Sequence, residues 1–327
     1  MKLLGRILLG LVALIVVVAV VGWLAMRRGE IPWATLEAKY ANAESEWVDL
    51  PGGIRAHYRD QGNPDGPVLV LVHGFAANLD TWEPWVQRLG KDYRVVSLDL
   101  PGFGLTRAPK GYRLTPTAFD DTVEGVAKHL KLGRFTLAGN SMGGGVAWQY
   151  ALKHPDRLEG LVLVDAAGFP EPAQEGSPIA FKILRNPVGR FLLKDLDTTR
   201  VTAQGLRSAF EPQPELATDT MVARYVELAR APGHKDIILG MMSDPAGRRF
   251  ADPKALATIK APTLVMHGDT DKLISAEAGR KFAAAIPGSQ LIIYEKVGHV
   301  PMEHVPDKSA ADLDAWHKAR VRAPTKP

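Results

Sequence analysis

The sequence predicts an α/β protein: a mostly parallel sheet of eight strands flanked by helices, interrupted late by a helical insertion and preceded by an apolar helix. Three observations carry this. Short, unbroken apolar runs such as Val68–Val72 alternate with longer amphipathic stretches, the pattern of strands buried on both faces by the helices between them. The alternation breaks once, from Phe169 to Ala257, where amphipathic stretches continue without a convincing buried strand. Ahead of everything, Ile7–Met26 runs for 20 residues without a charge. The organisation that follows is an anchor at 1–28, a linker at 29–45, a core made of 46–168 and 258–327, and a helical cap at 169–257.

Taken in order, the first segment is long enough to cross a membrane. At 1.5 Å per residue, 20 helical residues span about 30 Å, the thickness of a hydrocarbon core. Trp23 near its end suits the interfacial belt. A cleavable signal peptide has a shorter apolar core, roughly 7–15 residues, and a small-residue cleavage site. This run ends in Arg27-Arg28 instead, so an uncleaved single-pass anchor is expected. Lys2, Arg6 and the amino terminus precede the span and Arg27 and Arg28 follow it. That is a slight lean toward a cytoplasmic N-terminus and an extracytoplasmic remainder.

Composition narrows the classes. The 327 residues, 46% hydrophobic and 23% charged, suffice for a large buried core. The first 28 residues hold four basic side chains and no acidic one, and the other 36 Lys and Arg balance 36 Asp and Glu. No basic field is left to attract nucleic acid. The absence of cysteine excludes disulfides and thiolate metal sites.

Residues 29–45 read as a polar linker or short helix leading away from the membrane. Glu46–Leu50 and Ile54–Tyr58 flank Pro51-Gly52-Gly53 as a hairpin. Buried strands follow at Val68–Val72, Tyr93–Leu98, Phe135–Ala138, Leu161–Val164, Thr263–Met266 and Leu291–Tyr294. Helical stretches lie near 80–90, 118–131, 142–153, 276–286 and 307–320. Within the insertion, Met221–Leu228 has helical amphipathicity, and the insertion is expected to sit over the sheet.

Gly139-Asn140-Ser141-Met142-Gly143-Gly144-Gly145 directly follows the strand at Phe135–Ala138. A buried strand thus turns sharply into a small-residue helix with one serine at the corner, the Gly-x-Ser-x-Gly elbow. The glycines two before and two after Ser141 are needed because a side chain there would strike the neighbouring strand or helix. A serine hydroxyl is a poor nucleophile at neutral pH; it requires a base, and the base a carboxylate that fixes its tautomer. Two late loops offer these groups: His267-Gly268-Asp269-Thr270-Asp271 and Glu295 through Glu303, which contains His299. The acid has three candidates, Asp271, Asp269 in the same loop, and Asp165 at the end of Leu161–Val164.

Four motifs in order, His73-Gly74-Phe75, Asp99–Gly104, Gly139–Gly145, and Gly298-His299 preceded by Gly268-x-x-Asp271, make the chain from about residue 45 onward resemble an α/β-hydrolase-fold serine hydrolase with a helical lid. The resemblance implies Ser141 as nucleophile, His299 as general base and acid, and Asp271 as orienting acid. It implies an oxyanion hole from the backbone N–H groups of Phe75 and Met142, with His73 and Asp99–Gly104 in structural roles and Glu303 at most a local cap or partner. Serine at the elbow separates the chain from relatives that open epoxides or displace halides with aspartate. The expected reaction is hydrolysis of carboxylic esters of a lipophilic small substrate through an acyl-enzyme. The Asn-Ser-Met-Gly-Gly form also resembles hydrolases that cleave carbon–carbon bonds in ring-fission products. Those place a tryptophan behind the histidine, where this chain has Val300-Pro301-Met302. A non-catalytic binding protein of the same fold is a third reading. Phe181, Ile183, Leu184, Phe191, Leu192, Leu193 and Met221 are candidates for an apolar acyl pocket. No cofactor and no metal are expected.

Overall fold

The computed structural model describes residues 2–170, 186–243 and 250–321. Its centre is one eight-stranded sheet. The strands are β1 Ser45–Leu50, β2 Ile54–Gly62, β3 Val68–Val72, β4 Arg94–Leu98, β5 Phe135–Asn140, β6 Leu158–Val164, β7 Thr263–Gly268 and β8 Gln290–Tyr294. Their spatial order is β1-β2-β4-β3-β5-β6-β7-β8. The β1–β2 and β2–β4 pairs are antiparallel and every pair from β4–β3 onward is parallel. The hairpin turns at Gly52 and Gly53, whose φ values of 80° and 76° suit glycine.

The apolar runs are continuous because both sheet faces are covered. Val70, Val72, Leu137, Leu161 and Leu163 point into one core with Val146, Ala147 and Phe282. Their alternates Leu69, Leu71, Ala138, Val162 and Val164 point into the other with Trp85, Leu313 and Trp316. The covering helices, with the N-terminal ones, are α1 Lys2–Met26, α2 Trp33–Tyr40, α3 Glu83–Leu89, α4 Ala118–His129 and α5 Met142–Lys153. The insertion contributes α6 Pro187–Leu193, α7 Thr199–Ala209, α8 Asp219–Leu228, α9 His234–Ser243 and α10 Pro253–Leu256, and the chain closes with α11 Ala276–Ala285, α12 Pro301–His304 and α13 Pro306–Arg320.

The strand order positions the site. After β3 the chain moves outward to β4, then crosses back to place β5 on the other side of β3. Such a reversal leaves a crevice beyond the carboxyl ends of the strands, here between the loops that follow Val72 and Asn140.

Of the linker or short helix expected at 29–45, the structure has a short helix, α2, and it packs against the rest of the protein. Leu36 of α2 is 1% exposed and packs with Leu105, Leu228 and Ala231, and Lys39 and Tyr40 both bond the Glu227 carboxylate. Charged side chains of this segment have partners on both the insertion and the core: Glu30 accepts from Gly233 N and Lys39 pairs with Glu227, while Glu37 pairs with Arg107. By contrast most of α1 stands clear of the protein body, and only its end, from Trp23 to Met26, meets the insertion. Within Arg6–Met26 the most apolar 18-residue stretch has a mean hydropathy of 3.1, and none of that stretch is buried. Its length and composition fit a membrane anchor or a signal sequence.

Candidate active site

β5 ends at Asn140 and α5 begins at Met142, so Ser141 alone must turn the chain. It does so at φ 54° and ψ −116°, a conformation that a residue with a side chain adopts only when its surroundings enforce it. Val164 O accepts from its N–H at 2.9 Å, and its carbonyl accepts from Gly145 N at 3.0 Å and Ala167 N at 2.9 Å. A Cβ on Gly139 would lie 2.1 Å from Gly143 O, and one on Gly143 would lie 2.2 Å from Val72 O. Both obstacles are backbone and cannot swing aside. Gly139→Ala is therefore expected to cost about 3 kcal/mol of stability, read as a lowered Tm; a Tm equal to wild type would show that the elbow yields more easily than its contacts suggest.

His299 follows β8, and its Nδ1 lies 2.6 Å from Asp271 Oδ2, both side chains being buried. The other Asp271 oxygen accepts from the amides of Leu273 at 2.7 Å and Ile274 at 3.1 Å. With Nδ1–H donating to the carboxylate, Nε2 is left to accept a proton. Burial pulls the imidazole down, but the charge and hydrogen bond of Asp271 outweigh it, so His299 titrates above its ordinary value. Burial likewise works against the Asp271 carboxylate, and the charges and hydrogen bonds of His299 and His267 overcome it, holding the group well below the usual range.

Neither rival acid is bonded to His299. Asp269 is exposed and accepts from Lys296 N at 2.6 Å, capping the turn after β8. Asp165 is fully buried, and its Oδ1 accepts from Gly268 N at 2.9 Å. Burial, opposed by the His267 imidazole and reinforced by the charge of Asp271, pushes Asp165 up to about 7. Two carboxyl groups beside one imidazole thus differ in ionisation, and the ionised one is bonded to His299. Donor atoms of Asp165, Asp271 and His299 fall within 4.8 Å of one another, so these three could also surround a cation; the hydrogen bond between His299 and Asp271 already commits two of the donors.

From the sequence, Asn140 has no role beyond its place in the elbow. Its Nδ2 donates to His299 O at 3.0 Å and to Val164 O at 3.3 Å, tying the loop that carries the histidine to the elbow that carries the serine. Among the described residues no direct hydrogen bond joins Ser141 Oγ to the imidazole; bonds of this kind commonly tighten only once substrate is bound. The only sequence signal for Asn140 was its place beside Ser141.

His73 is buried, donates from Nδ1 to Gly74 O at 2.7 Å and accepts at Nε2 from Leu100 N at 3.1 Å. Burial lowers its pKa, opposed by the charge of Asp99, and the neutral ring pins the 73–75 turn. A Cβ on Gly74 would sit 3.2 Å from Ser141 Cβ, so this turn lies against Ser141. Met142 opens α5, where N–H groups have no partner within the helix. Among the described residues, neither the Phe75 nor the Met142 amide donates to another protein group. Asp99 accepts from the amides of Leu79 and Leu105 at 2.8 Å each and bonds His57; it fixes the Asp99–Gly104 turn. Glu303 accepts from Thr81 Oγ1, burial pushing its carboxyl up to about 7. His304 accepts from Gly298 N at 3.1 Å.

The insertion touches the site directly, since His299 N donates to Ala209 O at 2.7 Å at the end of α7. Of the apolar acyl-pocket candidates, Phe181, Ile183 and Leu184 lie outside the described residues, as do the side chains of Leu192 and Leu193. Met221 is half-buried and packs against the core. Phe191 corrects the expectation: it is 66% exposed and faces outward.

Comparison with known proteins completes the picture. A family model described as alpha/beta hydrolase fold matches residues 67–304. A 2-hydroxy-6-oxo-2,4-heptadienoate hydrolase of Pseudomonas putida is 27% identical, over 79% of this chain and 91% of its own length. Lipase 1 of Psychrobacter immobilis is 29% identical, over 86% of each chain. The crystal structure of a membrane phospholipase A, described as a bacterial virulence factor, is similar with a TM-score of 0.71 at 28% identity. That match covers 98% of this chain and all of the other, so it takes in α1.

Proposed function

Because the chain belongs to the alpha/beta hydrolase fold family, whose relatives here include both lipases and carbon–carbon hydrolases, we propose that it is a serine hydrolase of carboxylic esters with lipophilic acyl chains, anchored to a membrane through α1. The observation that carries the reading is the buried His299–Asp271 pair at 2.6 Å beside a serine held at φ 54°. Ser141 Oγ attacks the ester carbonyl while His299 Nε2 takes its proton, forming a C–O bond and moving the carbonyl electrons onto oxygen. The Phe75 and Met142 amides receive that oxyanion, each worth about 2.7–4 kcal/mol in comparable sites. Collapse expels the alkoxide, which regains the proton from His299. Water, deprotonated by the same nitrogen, then releases the acid and restores Ser141.

The anchor is supported by the packing just after it. A cut near Arg27 or Arg28 would sever bonds of Met26 and Arg27 to residues 195–197. The membrane phospholipase A match, which extends over α1, makes an acyl ester of a membrane lipid the favoured substrate class. A second reading, carbon–carbon hydrolysis with the same serine and histidine, draws on the heptadienoate hydrolase relative at nearly the same identity as the lipase.

The test is turnover by the full chain of p-nitrophenyl esters from acetate to palmitate, of a phospholipid in mixed micelles, and of a 2-hydroxy-6-oxo-dienoate. Ester turnover rising toward longer chains, with the dienoate untouched, is expected. Dienoate turnover with all esters inert would transfer the chain to the carbon–carbon class, and inertness to every substrate would leave a binding protein.

A further inference from the structure

The end of α1 is fixed to the insertion, and this determines what lies against a membrane that α1 enters. Arg28 N donates to Asp195 O at 2.6 Å, and Asp197 N donates to Met26 O at 2.9 Å, around a β-bridge between Arg27 and Leu196. Ion pairs repeat the link, Arg27 to Asp195 at 2.7 Å and Arg28 to Asp197 at 3.1 Å. Farther along, Ile31 N bonds Arg230 O at 2.8 Å and Lys235 Nζ bonds Arg28 O at 3.0 Å. A helix held at its exit by paired backbone bonds cannot pivot freely, so the insertion, and not the sheet, stays next to the end of α1.

One contact sets the depth. Trp23 lies three residues before Met26, about 4.5 Å along the axis, where aromatic rings occupy the membrane–water interface. The ring of Phe191 is 6.1 Å from that of Trp23, and the Arg27 guanidinium stands 4.9 Å from the same indole. Phe191 therefore shares the depth of an interfacial tryptophan. Val188, three residues earlier on α6, presents to the same side, and both are 66% exposed. Two large apolar side chains on one helical face, beside the exit of an apolar span, have the chemistry of an interfacial anchor.

We infer that α6 lies in the interface of the membrane that α1 spans, with Val188 and Phe191 immersed among headgroups and upper acyl chains, so that the insertion over the catalytic crevice rests on the leaflet holding the substrate. The occupant is a lipid bilayer. The inference rests on the anchor reading of α1 and deepens it: lipid would enter from the same leaflet without crossing water.

The chain contains no cysteine, so single cysteines can report position without background. Val188→Cys and Phe191→Cys, with Val17→Cys inside the span and Asp156→Cys on the exposed far loop as references, are labelled with a polarity-sensitive fluorophore. The full chain is reconstituted into phosphatidylcholine–phosphatidylglycerol vesicles and quenched either by lipid with a shallow nitroxide or by aqueous iodide. Labels at 188 and 191 are expected to be quenched by the nitroxide lipid several-fold more than the label at 156, and to be shielded from iodide. If 188 and 191 behave like 156 while 17 remains lipid-quenched, the anchor stands and the inference is overturned. If 17 is also open to iodide, the anchor reading fails and takes the inference with it. Shielding from iodide without lipid quenching would mean that a second copy of the chain covers the face, which equally overturns it.

Discussion

Replacing Ser141 with alanine is expected to lower ester turnover by about a million-fold, leaving only what substrate binding and the oxyanion donors supply. His299→Ala should fall nearly as far. The double variant should be no worse than either single one, because nucleophile and base act as one unit. Folding should be spared: alanine is isosteric with serine short of one oxygen, and the Ser141 bonds that lock the elbow are all made by its backbone. A fluorophosphonate gives an independent readout, labelling wild type at Ser141, failing on Ser141→Ala and nearly failing on His299→Ala. Retention of turnover within tenfold in Ser141→Ala would remove the acyl-enzyme from consideration whatever the substrate.

The second large effect separates the acids. Asp271→Asn should lose about 10⁴-fold in kcat, since an amide opposite Nδ1 favours the wrong tautomer and no longer stabilises the imidazolium. Asp165→Asn should lose far less. Asp165 lies at about 7 from burial and its Oδ1 is engaged by Gly268 N, while Asp271 is ionised and 2.6 Å from the ring. The pH profile gives the sign. Catalysis needs His299 neutral, and its folded pKa is raised, so the acid limb of kcat/KM should lie above the ordinary imidazole value of about 6.5. Removing the Asp271 charge leaves burial unopposed on that side, and the limb should move to lower pH. Asp165→Asn should move it in the same direction by less. A larger loss in Asp165→Asn than in Asp271→Asn would reassign the orienting acid.

How far these assignments could be made in advance differs from residue to residue. The sheet was legible because burial on both faces leaves a strand such as Val68–Val72 no room for polar residues. The elbow was legible because its glycines answer a local steric demand, the approach of Gly139 to Gly143 and of Gly143 to Val72, which any sequence in that turn must meet. Asn140 was not, since an asparagine before a serine acquires its meaning only when a loop 159 residues away brings its carbonyl within 3.0 Å. Phe191 was misplaced for a related reason: an apolar side chain reads alike in the sequence whether it lines a pocket or stands at the surface, and only the tertiary structure leaves it 66% exposed beside Trp23.

By itself, then, the sequence determined the chemistry available to this chain: one serine at a strained corner, a histidine and acids in the late loops, and an apolar segment long enough for a bilayer. Those are properties of residue type and local spacing. The tertiary structure decided among the three acids that residue type and local spacing left open: Asp271, the one the resemblance implied, lies 2.6 Å from the imidazole, whereas Asp269 caps a turn and Asp165 is engaged by Gly268 N. It alone decided that the stretch after the span is bound to the insertion, because hydrogen bonds between residues 27–39 and 195–235 join segments that no local pattern relates.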